Sequence, residues 1–337
     1  MFSCRWCQSQ RAGRFFNNPE TEHAELTIMT YHIRRKPDIE HNVRLIARDQ
    51  LEKAINELQD ASLARHEMVH RARRRCKKLR GLIRLVRPGF ADYSSENVIF
   101  RDAARSLSPV RDAQAMLLSY DELLDHFAGT VRADALGDVR ERLKAHTSEV
   151  VVKDIESESL TAFLHAMRAA RQRVDSWQIE GRGFEAIAGG LKKTYSRAQS
   201  ALSDAIADPD AVKLHAWRKR VKYHWYHTRL LRQIWPDMMR VRCSAGGTLS
   251  DLLGDDHDLA VLRQSIEAHG DARQHGEPEQ LVIGLIDRRR AELQAQSWPL
   301  GKRLFAEKPG HFVARTAAYW RVWHAEGPQA TVHRLRY

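Results

Sequence analysis

Two stretches of the chain repeat one pattern of cationic side chains. His70-Arg-Ala-Arg-Arg-Arg-Cys-Lys77 and His215-Ala-Trp-Arg-Lys-Arg-Val-Lys222 align without a gap. The alignment matches His70 with His215, Arg73 with Arg218, Arg74 with Lys219, Arg75 with Arg220 and Lys77 with Lys222, and it then pairs Arg84 with Arg229. Guanidinium and ammonium groups in such a row bind oxyanions through charge-assisted hydrogen bonds. On a helix, at about 100° per residue, positions 3, 4, 7 and 14 after each histidine fall within about 60° of it and form one longitudinal stripe. Adjacent like charges on a helix face cost about a few tenths of a kcal/mol per pair, so the stripe gains from an anionic ligand that neutralises it.

A single Lys/Arg-rich helix is ordinarily a solvated face. Duplication in register, with both histidines retained, favours a binding surface, because a face needed only for solubility would intersperse acids. The opposite sides are largely apolar: Ala72, Cys76, Leu79, Ile83 and Val86 in the first helix, and Trp217, Val221 and Leu231 in the second, where His224 and Thr228 are polar exceptions. Tyr226 is expected to point with the charges, although Gly81 takes its place in the first copy. Trp217 and Trp225 fall toward the apolar side or its edge, where core packing is expected.

Each copy continues into a second matching element, Leu107-Ser-Pro-Val-Arg111-Asp112 and Leu253-Gly-Asp-Asp-His257-Asp258. The corresponding Asp112 and Asp258 either cap a helix or hold a neighbouring basic side chain. Arg105 and Arg111 extend the basic surface or pair with nearby acids. His257 stands where the first copy has Arg111, which makes that end of the site a candidate for pH sensitivity.

The elements that position these residues are helices. Apolar residues recur at three- and four-residue spacing over 42–58, 65–86, 96–107, 109–127 and 159–177, then over 183–206, 211–234, 238–253, 257–269, 279–296 and 312–324. No strand-like alternation interrupts them, and Pro88-Gly89 and Trp235-Pro236 mark stops. Residues 1–29 show no helical period and read as a disordered extension, with Met29 a possible alternative start.

At these residues the chain resembles the CHAD family, the conserved histidine α-helical domain, whose signature helix His-x-x-Arg-[Arg/Lys]-x-x-Lys occurs twice. The resemblance runs from about Tyr31 to Trp323 and includes both Asp-containing elements and the closing Leu304-Phe-Ala-Glu-Lys-Pro309 with Tyr319-Trp320. It implies an all-α fold of two four-helix-type bundles related by approximate internal two-fold symmetry. The domain would cover residues 30–327, with repeats at 30–180 and 181–327 and a tail at 328–337. It also implies the ligand, inorganic polyphosphate, and association with polyphosphate granules. Carried over, the binding residues are His70, Arg73, Arg74 and Lys77 with His215, Arg218, Lys219 and Lys222, joined by Tyr226; the stripe and its extensions add Arg84, Arg105, Arg111 and Arg229.

Composition is consistent with such a ligand. The 337 residues carry 55 Lys and Arg against 43 Asp and Glu, a formal net charge of +12, which attracts polyanions without choosing among nucleic acid, anionic membrane and polyphosphate. Nucleic acid is the weaker alternative, because base stacking needs aromatics interleaved with the charges. Four cysteines are too few for a disulfide framework, no run reaches the roughly 18 apolar residues of a membrane span, and a cytoplasmic location is expected.

Enzyme chemistry is weakly signalled. The Glu-x-Glu-x-Lys of the triphosphatase module often fused to this family is incomplete at Glu156-Ser-Glu158-Ser-Leu160. Asp251, Asp255, Asp256, His257 and Asp258 form the densest candidate for Mg²⁺, but read more simply as an acid-rich helix start. His66-Glu67-Met68-Val69-His70 has the spacing of a zinc peptidase, yet the basic residues that follow disfavour a dication and His215 lacks the motif. Cys4 and Cys7 lack a second pair. A binding protein without catalytic residues, metal or cofactor is therefore expected, with a metal-dependent enzyme a distant alternative.

Overall fold

The computed structural model describes residues 31–130, 136–155, 158–269 and 276–326, the side chains of 108–111, 151–155 and 269 aside. The proposed extension at 1–29, with Cys4 and Cys7, and the tail at 328–337 lie outside the described residues. Among those residues every extended element is a helix and there is no β-strand. The helices are α1 (Ile39–Gln59), α2 (Arg65–Leu85), α3 (Tyr93–Ser106), α4 (Ser108–His126), α5 (Gly137–Ile155), α6 (Ser159–Arg173), α7 (Glu185–Ala207), α8 (Ala211–Leu230), α9 (Pro236–His269), α10 (Glu277–Leu304) and α11 (Pro309–Ala325).

Their apolar faces build two cores. The larger unites α1, α2, α3, α6, α7, α8 and α11 with the first part of α9 and the end of α10. The smaller is a four-helix bundle that takes Tyr120 and Leu123 from α4, Val139 and Leu143 from α5, Leu262 and Ile266 from α9, and Val282 and Ile286 from α10. Helices from both halves of the sequence thus share each core.

The chain passes between the cores at two matching places. Leu107 closes the larger core and Ala113 opens the smaller one; Leu253 and Leu259 do the same on α9. In the first place Pro109 breaks the path into α3 and α4, because proline cannot donate the helical hydrogen bond and fits the first turn of a new helix. In the second, Gly254-Asp255 imposes no break, and α9 runs through all 34 residues. The expected separation into 238–253 and 257–269 is corrected accordingly. Asp251, Asp255, Asp256 and Asp258 therefore lie within a helix rather than at its start.

Two further departures have local causes. Helix α5 was not expected, because among its described side chains only Val139 and Leu143 are buried apolar residues, with Val150 partly buried beside them, and most of the others are charged or polar. Helix α10 continues past Pro299 to Leu304 instead of stopping near 296. Its last turns are held by packing on Trp217: the Trp298 ring stacks on it at 5.3 Å, and a Cβ on Gly301 would overlap it.

Candidate functional site

The two basic helices are placed by their apolar faces. Helix α8 begins where Asp210 accepts a hydrogen bond from the Lys213 backbone N–H at 2.7 Å, the capping expected of aspartate. Leu214, Trp217 and Val221 then face the larger core; on α2 the same is true of Val69, Ala72, Cys76, Leu79 and Ile83. The polar exceptions on α8 are accommodated there. His224 is buried among Tyr195, Phe305 and Phe312, and Thr228 Oγ1 donates to the His224 carbonyl.

Helices α2 and α8 touch where the first copy has glycine and the second tyrosine. A Cβ on Gly81 would stand 2.9 Å from that of Tyr226, so only glycine admits the approach. The Gly81 carbonyl accepts from His227 Nε2 at 3.0 Å, and Tyr31 packs edge-on against Tyr226 while donating to the Lys78 carbonyl at 2.8 Å. Tyr226 is only 2% exposed. This corrects the expectation that its ring points with the charges: it is the packing partner of Gly81.

The stripes surround this contact. His70, Arg73, Arg74, His215, Arg218, Lys222 and Arg229 are half-buried, whereas Lys77, Lys219 and Arg105 are exposed. Arg73 donates to the Ala104 carbonyl at the end of α3 and faces Asp112 at 3.8 Å. Because Leu107 is the N-cap of α4 and makes no side-chain capping bond, Asp112 holds Arg73 rather than capping a helix. The Arg218 guanidinium lies against Gly254 of α9. The side chain of Arg111 is outside the described residues.

Charges from both helices act on one another. Burial first, and then Arg218, Arg229 and Arg74, push the Lys222 ammonium down to about 8 against the pull of Asp251. Lys219 is lowered by burial, Arg220, Arg218 and Arg80. His257 is pushed to about 4 by burial and by Arg218, Lys219, Lys77 and Arg290. His215, whose ring centroid lies 4.0 Å from that of His257, falls to about 3 through burial, His257, Lys219 and Arg218, with Asp258 opposing. Arg74, Lys77 and Arg80 of α2 thus share a single field with Lys219, Lys222 and His257. Cations of the two stripes are thus near enough to act on one another.

One member is set deeper. Arg84 is 9% exposed; it donates to Asn97 Oδ1 at 2.7 Å and lies 4.1 Å over the Tyr223 ring. Its place beside the exposed charges is therefore corrected to a buried bridge among α2, α3 and α8. Arg229 lies over Trp225 at 4.8 Å, on the ring that also carries Lys222 at 4.3 Å. Trp225 is half-buried and packs against the larger core, as expected; its Nε1 donates to the Cys243 carbonyl at 3.0 Å, and Gly246 and Gly247 let the indole lie close to α9. Sequence reading missed this platform; its signal was the Gly246-Gly247 pair, where α9 has no side chains to keep an indole away.

The acids of α9 serve other groups. Asp256 is 2% exposed and accepts from Arg290 at 3.1 Å and Gln294 at 2.8 Å, tying α9 to α10, while Asp251 and Asp258 act on Lys222 and His215. Glu67 of the zinc-like motif pairs with Arg71 at 2.5 Å. Among the described residues no group of three or more His, Cys, Asp or Glu is arranged to hold a metal ion, and no helix is long and apolar enough to cross a membrane.

These features define an all-α protein in which two helices of matching basic pattern, α2 and α8, pack against each other at Gly81 and Tyr226. The family model for the CHAD domain matches residues 46–267, and the chain belongs to the CHAD family. Its fold is similar to that of PptA from Streptomyces chartreusis, with a TM-score of 0.56 and 14% identity over 81% of this chain and 100% of that one. It is also similar to the CHAD domain from the plant Ricinus communis, with a TM-score of 0.54 and 14% identity over 88% of this chain and 95% of that one. No curated protein sequence matches the chain.

Proposed function

We propose that the two stripes form one cationic basin that binds inorganic polyphosphate and that the protein acts as a binding module, not an enzyme, at polyphosphate granules in the cytoplasm. The observation that carries this reading is geometric: α2 and α8 meet at Gly81 and Tyr226, with the basic stripe of each helix beside that contact and Lys222 and Arg229 seated on one Trp225 ring. Burial first, and neighbouring cations after it, lower Lys222, His257 and His215, and a polyanion, which favours each charged form, offsets both. Phosphate units carry about one charge each, and successive units can engage the stripe of one helix and then that of the other.

Nucleic acid is disfavoured by the same geometry. The aromatic rings in and beneath the basin already carry protein cations, Lys222 and Arg229 on Trp225 and Arg84 on Tyr223, so they offer no ready stacking surface. Competition at fixed salt tests the reading. Long-chain polyphosphate should displace bound single- or double-stranded DNA at lower concentration of charge than the reverse; DNA winning that competition would overturn it.

A further inference from the structure

His224 sits on the apolar face of α8, away from the stripes, and anion binding there gives it no task. It is 1% exposed, and among the described residues neither of its ring nitrogens has a hydrogen-bond partner. A buried imidazole is ordinarily bonded through at least one nitrogen, as His227 is to the Gly81 carbonyl. The rings of Tyr195 on α7, Phe305 at the end of α10 and Phe312 on α11 enclose His224, with centroids 5.2–5.5 Å from its own.

This box is built for a neutral ring. The Arg242 guanidinium of α9 lies 4.5 Å from the Phe312 centroid and 5.7 Å from that of Tyr195, and Arg315 of α11 lies 5.9 Å from Phe312, so two of the three walls already carry cations. The Glu307 carboxylate is bonded at both oxygens by Arg315, and the Tyr195 hydroxyl donates to the Glu307 carbonyl. His227, a turn further along α8, adds a second buried base. A proton on His224 would therefore meet guanidiniums and apolar rings, with neither a free acceptor nor solvent to stabilise it. We infer that His224 makes the docking of α11 sensitive to acid: α11 closes over the neutral ring through Phe312 and swings away when the ring takes a proton.

Helix α11 is the element free to move, because it is the last described helix and joins α10 through the short link at 305–308. Burial, then Arg242 and His227, hold the closed-state imidazole well below its ordinary value. Once α11 is open the ring titrates near 6.5. The closed arrangement thus has its full advantage above about pH 6.5 and loses it as pH falls, the open-to-closed ratio rising about tenfold per pH unit.

Hydrogen exchange of the full chain, read by peptide mass spectrometry at pH 7 and pH 5 and corrected for intrinsic exchange, tests this. Opening of α11 should increase about twentyfold between the two, with α1 as the internal reference that does not follow. His224→Phe keeps a ring without nitrogens and should abolish the increase; His224→Leu takes its place if the larger ring disturbs the helical fold. No increase for α11 in the wild-type chain would overturn the inference. So would an equal increase in the variant, which would assign the effect to other groups, or an equal increase in α1, which would make it unfolding of the whole.

Discussion

His215 and His257 hold their imidazole rings 4.0 Å apart at a tilt of 30°, one on α8 and the other on α9. Lys219 and Arg218 from α8, Lys77 from α2 and Arg290 from α10 act on the pair, with Asp258 as the acid that opposes them. Burial and these cations make a proton costly on either ring, so a bound anion would be expected to couple binding to pH at this end of the proposed site.

An anion in the basin favours every charged form, so the complex should hold more protons than the free protein. Free Lys222 titrates near 8; affinity should therefore fall as pH rises above 8. Free His257 and His215 titrate near 4 and 3, so affinity should climb as pH falls below the ordinary imidazole value of about 6.5. Calorimetry in two buffers of different ionisation enthalpy should show proton uptake at pH 8.5 and at pH 5.5. No uptake at either pH would count against the shared field. The same histidines should weaken the free fold in acid: the unfolded chain takes their protons first, so the stability present above about pH 6.5 is lost as pH falls toward 4. Thermal unfolding across that range reads this directly.

Gly190 of α7 lies against the end of α2, where an added Cβ would overlap the carbonyl oxygens of Leu85 and Arg84. Gly190→Ala should cost about 1–3 kcal/mol or more, because backbone cannot move aside as a flexible side chain can. Gly284, within α10, has open space around it, and Gly284→Ala should stabilise by up to about 1 kcal/mol through helix propensity. Denaturant midpoints of the two variants should move in opposite directions.

This contrast shows what could be read in advance and what could not. The histidine register, the apolar faces of α2 and α8 and the all-helical character follow from periodicity, which is a local property. A helical wheel, however, gives the direction of a side chain and not what covers it. Tyr226 and Arg84 lie on the charged side of that wheel but are buried, one by Gly81 and the other by Tyr223 and Asn97. Trp225 lies at its edge and becomes a support for two cations. Asp112 could equally have capped a helix until the position of Arg73 decided between its two roles.

Trp225 should matter to binding through the cations it supports. Replacement by Phe keeps an aromatic face but loses the bond to the Cys243 carbonyl, and replacement by Leu loses both. Each cation–ring contact is worth about 0.5–1 kcal/mol when exposed and more when desolvated. Trp225→Leu should therefore weaken polyphosphate several-fold, with Trp225→Phe intermediate, while circular dichroism stays helical. Wild-type affinity in the Leu variant would reduce Trp225 to packing.

The most direct test of the central claim, that stripes from both helices make one polyphosphate site, is titration of long-chain polyphosphate at several salt concentrations. Wild type would be compared with two variants: Arg73, Arg74 and Lys77 together changed to Ala, and Arg218, Lys219 and Lys222 together changed to Ala. A shared site predicts that each triple variant loses affinity at every bound chain and that its salt slope falls by roughly two, as expected for losing about three phosphate contacts to a single-stranded polyanion. Unchanged affinity and slope in both variants, with the helical fold intact, would contradict the account.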